Sequence, residues 1–100
     1  MKSTLMINTT KQGEVEVSLK ETKLVLFSKQ QLGSQTLLPL IKNALKKAGI
    51  SLQDLTGISV ATGPGSFTGI RVGVSVANAL GFALGIHVNR KKMETELLYD

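Results

Sequence analysis

Gly63-Pro64-Gly65-Ser66-Phe67-Thr68-Gly69-Ile70-Arg71 follows directly on the apolar run Ile58–Ala61 and opens a long apolar helical pattern. Three glycines and a proline within seven residues predict a tight strand-to-helix turn with φ > 0 at a glycine. In α/β proteins such turns hold anions, catalytic groups or partner contacts. Ser66 or Thr68 can cap the helix, and the free N–H groups of its first turn suit an anion. Gly63, Gly65, Ser66 and Thr68 are therefore a candidate anion- or nucleotide-proximal turn. The spacing is not that of a P-loop, whose lysine is missing. Nor is it Gly-x-Gly-x-x-Gly, because the third glycine falls at 69 rather than 68. A purely structural turn and an anion site both remain open, with spacing favouring the first.

Upstream of this turn, Thr4–Ile7 reads as a short buried strand. Glu14–Leu19 alternates, with Val15, Val17 and Leu19 on one face. Lys23–Phe27 is a third strand, joined to the second through Lys20-Glu21-Thr22. A helix follows, capped near Gln35 or Thr36 so that Pro39 stays close to its start, and stopped by Gly49. Leu37, Leu38, Ile41, Leu45 and Ala48 form its core stripe, and Lys42, Lys46 and Lys47 its wet face. Ser51-Leu52-Gln53-Asp54 has the form of a capping box on one short turn. Ile58–Thr62 is an apolar, central strand. Downstream, a helix runs from about Thr68 to Leu84, Gly85 ends it, and Ile86–Val88 is a last short strand. The order βββαβαβ predicts an α/β domain with two main helices on a mixed five-stranded sheet. An antiparallel hairpin lies at one edge, and parallel strands are joined by right-handed crossovers. That is the ribonuclease-H-like arrangement of an actin-like ATPase lobe. Residues 1–88 are read as one lobe and 89–100 as a charged tail.

One hundred residues with 42% hydrophobic content suit one small domain or one lobe of a larger fold. With no cysteine, neither a disulfide nor a thiolate metal site is available, and a reducing, cytoplasmic setting fits. The net charge of +5 raises the question of nucleic acid. The charge is scattered, however, and the four aromatic residues are not interleaved with it, which argues against a dedicated RNA-reading sheet.

The second helix is too apolar for so small a domain. Ile70, Val74, Ala77, Gly81 and Leu84 share one face. Val72, Val76, Ala79, Leu80 and Ala83 cover the opposite side, and Arg71, Ser75 and Asn78 fill a narrow polar sector. A helix apolar nearly all round is buried nearly all round, and a sheet covers only one side. A membrane, a further part of the same chain, or another protein can supply the second cover. The polar residues in the span and its strand-turn-helix setting weigh against the membrane. Gly69, Gly73, Ala77, Gly81 and Gly85 recur every four residues. They fit either close helix–sheet packing or a helix–helix contact.

Catalytic chemistry is thin. The first strand ends in Asn8, which lacks the charge of a metal-binding carboxylate. His87 is the only histidine, so no metal site is expected, and no cofactor is implied. The acids fall at exposed-looking positions.

The nine-residue core at 63–71, with Val72-Gly73 and Ala77-x-x-Leu80-Gly81, resembles the signature of the bacterial TsaB (YeaZ) family. Leu37-Leu38-Pro39-Leu40-Ile41 and Ala83-Leu84-Gly85-Ile86 support the likeness, which covers about residues 4–88, the family's N-terminal lobe. The resemblance implies an inactive paralogue of the catalytic TsaD subunit, serving threonylcarbamoyl modification of adenosine 37 in tRNA. It implies pairing with a TsaD-like subunit through the two helices, a TsaE-like ATPase joining the complex, and a homodimer when the chain is alone. Contact with tRNA is expected only within the complex, and no membrane is involved. The partner surface it implies comprises Thr36, Leu37, Leu40, Asn43, Thr68, Gly69, Arg71, Val72, Ser75, Val76 and Ala79. Members usually carry an aspartate where this chain has Asn8, and often His-Ser where it has Gly33-Ser34. The family's second lobe is not within these residues. A small ATP-binding hydrolase of the actin-like superfamily is the alternative, and a free-standing RNA-binding module a third reading.

Overall fold

A computed structural model describes residues 2–95 apart from 12, 23 and 29–33, and the side chains of 34–36 lie outside the description. The elements are β1 (Ser3–Asn8), β2 (Val15–Leu19), β3 (Leu24–Ser28), α1 (Ser34–Ala48), a single 3-10 turn (Leu52–Asp54), β4 (Leu55–Val60) and α2 (Phe67–Leu84). The sheet order is β3-β2-β1-β4, with β1 antiparallel to β2, β2 antiparallel to β3, and β1 parallel to β4. This is the expected mixed sheet, reached by an antiparallel meander and a helical crossover.

Strand alternation decides which face carries the core. Leu5 and Ile7 of β1 pair with Leu19 and Val17 of β2, and with Ile58 and Val60 of β4. All six are buried under the helices. α1 packs over β2 and β3, and α2 over β4 and β1. On the other face Met6, Val25 and Phe27 are exposed.

The helix ends follow the local chemistry. In α1, Leu37, Ile41, Ala44 and Leu45 are buried, whereas Lys42, Lys46 and Lys47 face water. Leu38, expected in the core stripe, is 41% exposed, because it lines an open groove towards α2 while its neighbour Leu37 is buried. The helix starts at Ser34, so Pro39 falls inside it rather than at its first turn. The capping box forms as read: Ser51 N–H and Oγ both donate to Asp54 Oδ2. α2 is capped by Ser66, whose Oγ accepts from the Gly69 N–H, and closed by Gly85 at φ 68°.

The fifth strand does not form. After Gly85 the chain comes alongside β4, where the Ile58 N–H donates to the His87 carbonyl and the Asn89 N–H to the Ile58 carbonyl. Asn89 and Arg90 then take φ of 52° and 66°, and Val88 and Lys91 exchange two hydrogen bonds that close a tight turn. Among the described residues after α2, only Val88 makes a bridge to β4. The next place on the β4 edge is filled by a side chain. Asn89 Oδ1 accepts from the Val60 N–H at 2.8 Å and Nδ2 donates to the Val60 carbonyl at 3.0 Å. Further on, Asn78 Oδ1 accepts from the Glu94 N–H and Nδ2 donates to the Glu94 carbonyl, so residues up to 94 pack against the lobe.

Candidate functional site

The glycine turn lies where β1 and β4 both end. Asn8 Oδ1 accepts from the Thr10 N–H at 3.0 Å and from Thr10 Oγ1 at 2.7 Å. That bond pair folds the chain so that the Thr10 carbonyl accepts from the Ser66 N–H at 2.8 Å. Gly65 lies flat against Thr10: a Cβ on it would come within 2.5 Å of the Thr10 carbonyl oxygen. Gly63 takes φ 116°, the positive value expected in this turn, ahead of a cis bond to Pro64. Of the four candidate anion-binding residues, Ser66 has its N–H committed to Thr10 and its hydroxyl to Gly69. Gly63 and Gly65 shape the backbone, and Thr68 is exposed at the start of α2. The Ser66 N–H and hydroxyl are thus both used within the chain, which favours a structural turn.

The glycine stripe of α2 faces inward. Gly69, Gly73 and Gly81 are buried. The buried Thr9 donates its hydroxyl to the Gly69 carbonyl. A Cβ on Gly73 would run into Thr9 Oγ1, and one on Gly81 would lie 2.7 Å from Val88 Cγ2. The stripe is thus used for close helix–sheet packing. By length and composition α2 could cross a membrane, but this seating makes it the core helix of the lobe.

The outward side of α2 is covered less evenly than the wheel suggests. α1 packs against it, so that Val76 is buried, and Val72 and Leu80 are half-buried against the core. Between the helices runs a shallow, almost wholly apolar groove of about 360 Å3, lined by Leu38, Ser75, Val76, Ala79 and Leu80. It continues into a hollow of about 280 Å3 lined by Arg71, Val72, Ser75 and Val76. Arg71 stacks over the Phe67 ring, its guanidinium carbon 5.3 Å from the centroid.

Among the residues the resemblance assigns to a partner, Asn43, Thr68, Arg71, Ser75 and Ala79 are exposed, and Leu40 and Val72 are half-buried. Leu37, Gly69 and Val76 are buried and support this surface from beneath. The Thr36 side chain lies outside the described residues, as does Gly33. Sequence reasoning missed the two most exposed large apolar side chains of α2. Phe82 is 88% exposed and Phe67 55% exposed. The signal was present, because Phe82 stands four residues after Asn78 and seven after Ser75, in the outward sector.

Two carboxylates have settled electrostatics away from this face. The Thr4 N–H and then the Ser3 hydroxyl hold the Glu21 carboxyl below its usual range. The Ser51 N–H does the same for Asp54.

A family model described as TsaD, tRNA N6-adenosine threonylcarbamoyltransferase, matches residues 29–89. The chain belongs to that family. Within it the chain goes with TsaB (YeaZ), as the glycine signature suggests. It is 42% identical over 52 residues to the tRNA threonylcarbamoyladenosine biosynthesis protein TsaB of Escherichia coli (strain K12), covering 52% of this chain and 22% of the relative. A TsaD-type relative, the tRNA N6-adenosine threonylcarbamoyltransferase of Nitrosospira multiformis, is 46% identical over 69 residues, covering 64% of this chain and 20% of that protein. The solved structure of YeaZ from Pseudomonas aeruginosa superposes with a TM-score of 0.76 at 32% identity, over 88% of this chain and 42% of that one. The fold is accordingly the ribonuclease-H-like, actin-like lobe, with four strands rather than five. The chain spans less than half the length of these TsaB and TsaD relatives.

Proposed function

We propose that this TsaB-type chain is a non-catalytic subunit in the cytoplasmic pathway that makes threonylcarbamoyladenosine in tRNA. It pairs with a TsaD-like catalytic subunit through the outward side of α1 and α2. The observation that carries this reading is the inter-helix groove lined by Leu38, Ser75, Val76, Ala79 and Leu80, with Phe82 exposed further along α2. Burying Phe82 alone contributes about 2 kcal/mol, a useful share of a moderate affinity. Without its partner the chain uses the same surface to form a two-fold dimer. A TsaE-like ATPase joins the assembled complex, and tRNA is modified there. The small-hydrolase alternative fits less well, because the Asn8 oxygen is turned onto Thr10 and the Thr10 carbonyl faces the glycine turn.

Ala79→Asp is the test. Ala79 is exposed, so the lobe should melt as before, whereas a charge at Val76, 7% exposed, would unfold it. Co-purification with the TsaD-like subunit of the same organism should be lost. Undiminished binding would remove α2 from the interface, and sustained Mg-ATP turnover by the pure chain would restore the hydrolase reading.

A further inference from the structure

We propose that the open face of the sheet carries a nucleotide-binding cleft, distinct from both the glycine turn and the helix groove. The cleft has a volume of about 480 Å3 and is lined by residues of β1 and β4, by Lys20, and by the turn after α2. That lies within the range of small-ligand sites, roughly 300–1,000 Å3. It sits around Thr4 and Thr56, near the starts of β1 and β4, whereas the glycine turn follows their ends.

The lining is chemically one-sided. Lys20, His87 and Arg90 bring basic groups, Thr4, Thr56 and Ser59 bring hydroxyls, and Met6 offers apolar surface, 38% exposed. Among the described residues no lining side chain is acidic. Glu21, next in sequence to Lys20, is bonded to the Ser3 hydroxyl and the Thr4 N–H, so it offsets part of the Lys20 charge and leaves Arg90 as the less opposed cation. Lys91 is paired with Glu94 at 3.3 Å, but Arg90 has no ion-pair partner among the described residues. The Thr56 hydroxyl is given to the Ser3 carbonyl, but a cation pair around the Thr4 and Ser59 hydroxyls suits phosphate oxygens, and a thioether surface beside them suits a base.

The turn that carries Arg90 is built to stay in place. Asn89 is bonded to β4 three times, through its own N–H to Ile58 and through its side chain to both polar groups of Val60. The Val88–Lys91 bonds close the turn. These contacts hold Asn89 and Arg90 in the left-handed region, at φ 52° and 66°, where residues with side chains rarely settle unaided. Arg90 is thereby rooted on a fixed rim. The nucleotide can be free or one unit of an RNA strand, since both present the same phosphate and base.

Calorimetric titration of the 100-residue chain at low salt, with ADP in one arm and a short single-stranded RNA in the other, separates these sources. Saturable binding of at least one probe is expected, with inorganic pyrophosphate competing. Lys20→Glu and Arg90→Glu should each weaken it by about tenfold or more, the loss of one charge-assisted hydrogen bond. Circular dichroism melting checks that each variant folds. If Arg90→Glu fails to fold, Lys20→Glu and the pyrophosphate competition decide. The double reversal Lys46→Glu/Lys47→Glu on α1 should leave binding unchanged. No saturable binding of either probe overturns the proposal, and so does an equal loss in the α1 variant, which would mark unspecific attraction to a basic chain.

Discussion

Replacing Gly73 by alanine tests how α2 is seated. In an exposed helix this change stabilises by about 1 kcal/mol. Here the new methyl would overlap Thr9 Oγ1 and touch Thr9 Cβ and Cγ2 at 3.4 Å. Thr9 is fully buried and its hydroxyl is bonded to the Gly69 carbonyl, so it cannot swing away without breaking that bond. Losing the bond costs about 1 kcal/mol, and forcing an extra carbon into a closed contact costs a further 1–3 kcal/mol or so. Set against the propensity gain, Gly73→Ala should destabilise by about 2 kcal/mol, lowering Tm by roughly 8–16 °C in a domain this small. Thr9→Ala removes both Oγ1 and Cγ2. In that background Gly73→Ala should be neutral or stabilising, giving a coupling of about 2–3 kcal/mol. Urea and thermal melts of the four proteins, followed by circular dichroism, measure it. A rise in Tm for Gly73→Ala alone, or the same cost in both backgrounds, would refute the reasoning. The glycine stripe would then be free for another helix instead of committed to the sheet.

Asn89→Ala should lower stability by about 2 kcal/mol, one unit for each hydrogen bond to Val60. It should also promote self-association through the uncovered β4 edge, read by urea melts and light scattering; an unchanged midpoint would contradict the strand-surrogate role. Glu21 and Asp54 both have folded-state pKa values below their ordinary 4.5 and 3.8. Their contribution is therefore fully present above those ordinary values and lost as pH falls through the depressed ones. The urea midpoint should drop on acidification below about pH 4, and Glu21→Gln should flatten part of that drop. Phe82→Ser should change monomer stability by less than about 0.5 kcal/mol, while weakening self-association in sedimentation measurements; equal dimer affinity would remove Phe82 from the surface.

Much of the lobe was legible because its signals are local. The β2 alternation, the Ser51/Asp54 box, the Ser66 cap and the Gly85 stop depend only on neighbours a few residues away. The missing fifth strand was not legible. Ile86–Val88 has strand composition, but whether it pairs depends on Asn89, whose side chain takes the edge position on Val60 that the next strand residue would have taken. Leu38 and Leu37 are adjacent leucines with opposite fates, 41% and 0% exposed, because α1 presents only one of them to the sheet.

By itself the sequence determined the family, the order of the elements as far as α2 and the surplus apolar surface of that helix. These follow from spacing, and spacing is written along the chain. Only the tertiary structure decided which face of α2 is spare. Thr9, sixty residues upstream of Gly69, and Val88 claim the glycine stripe, α1 claims Val76, and Ala79 and Phe82 are left outside. The same holds for the glycine turn, where an upstream carbonyl, that of Thr10, accepts from the Ser66 N–H. Such contacts join residues far apart in sequence, so no local pattern encodes them.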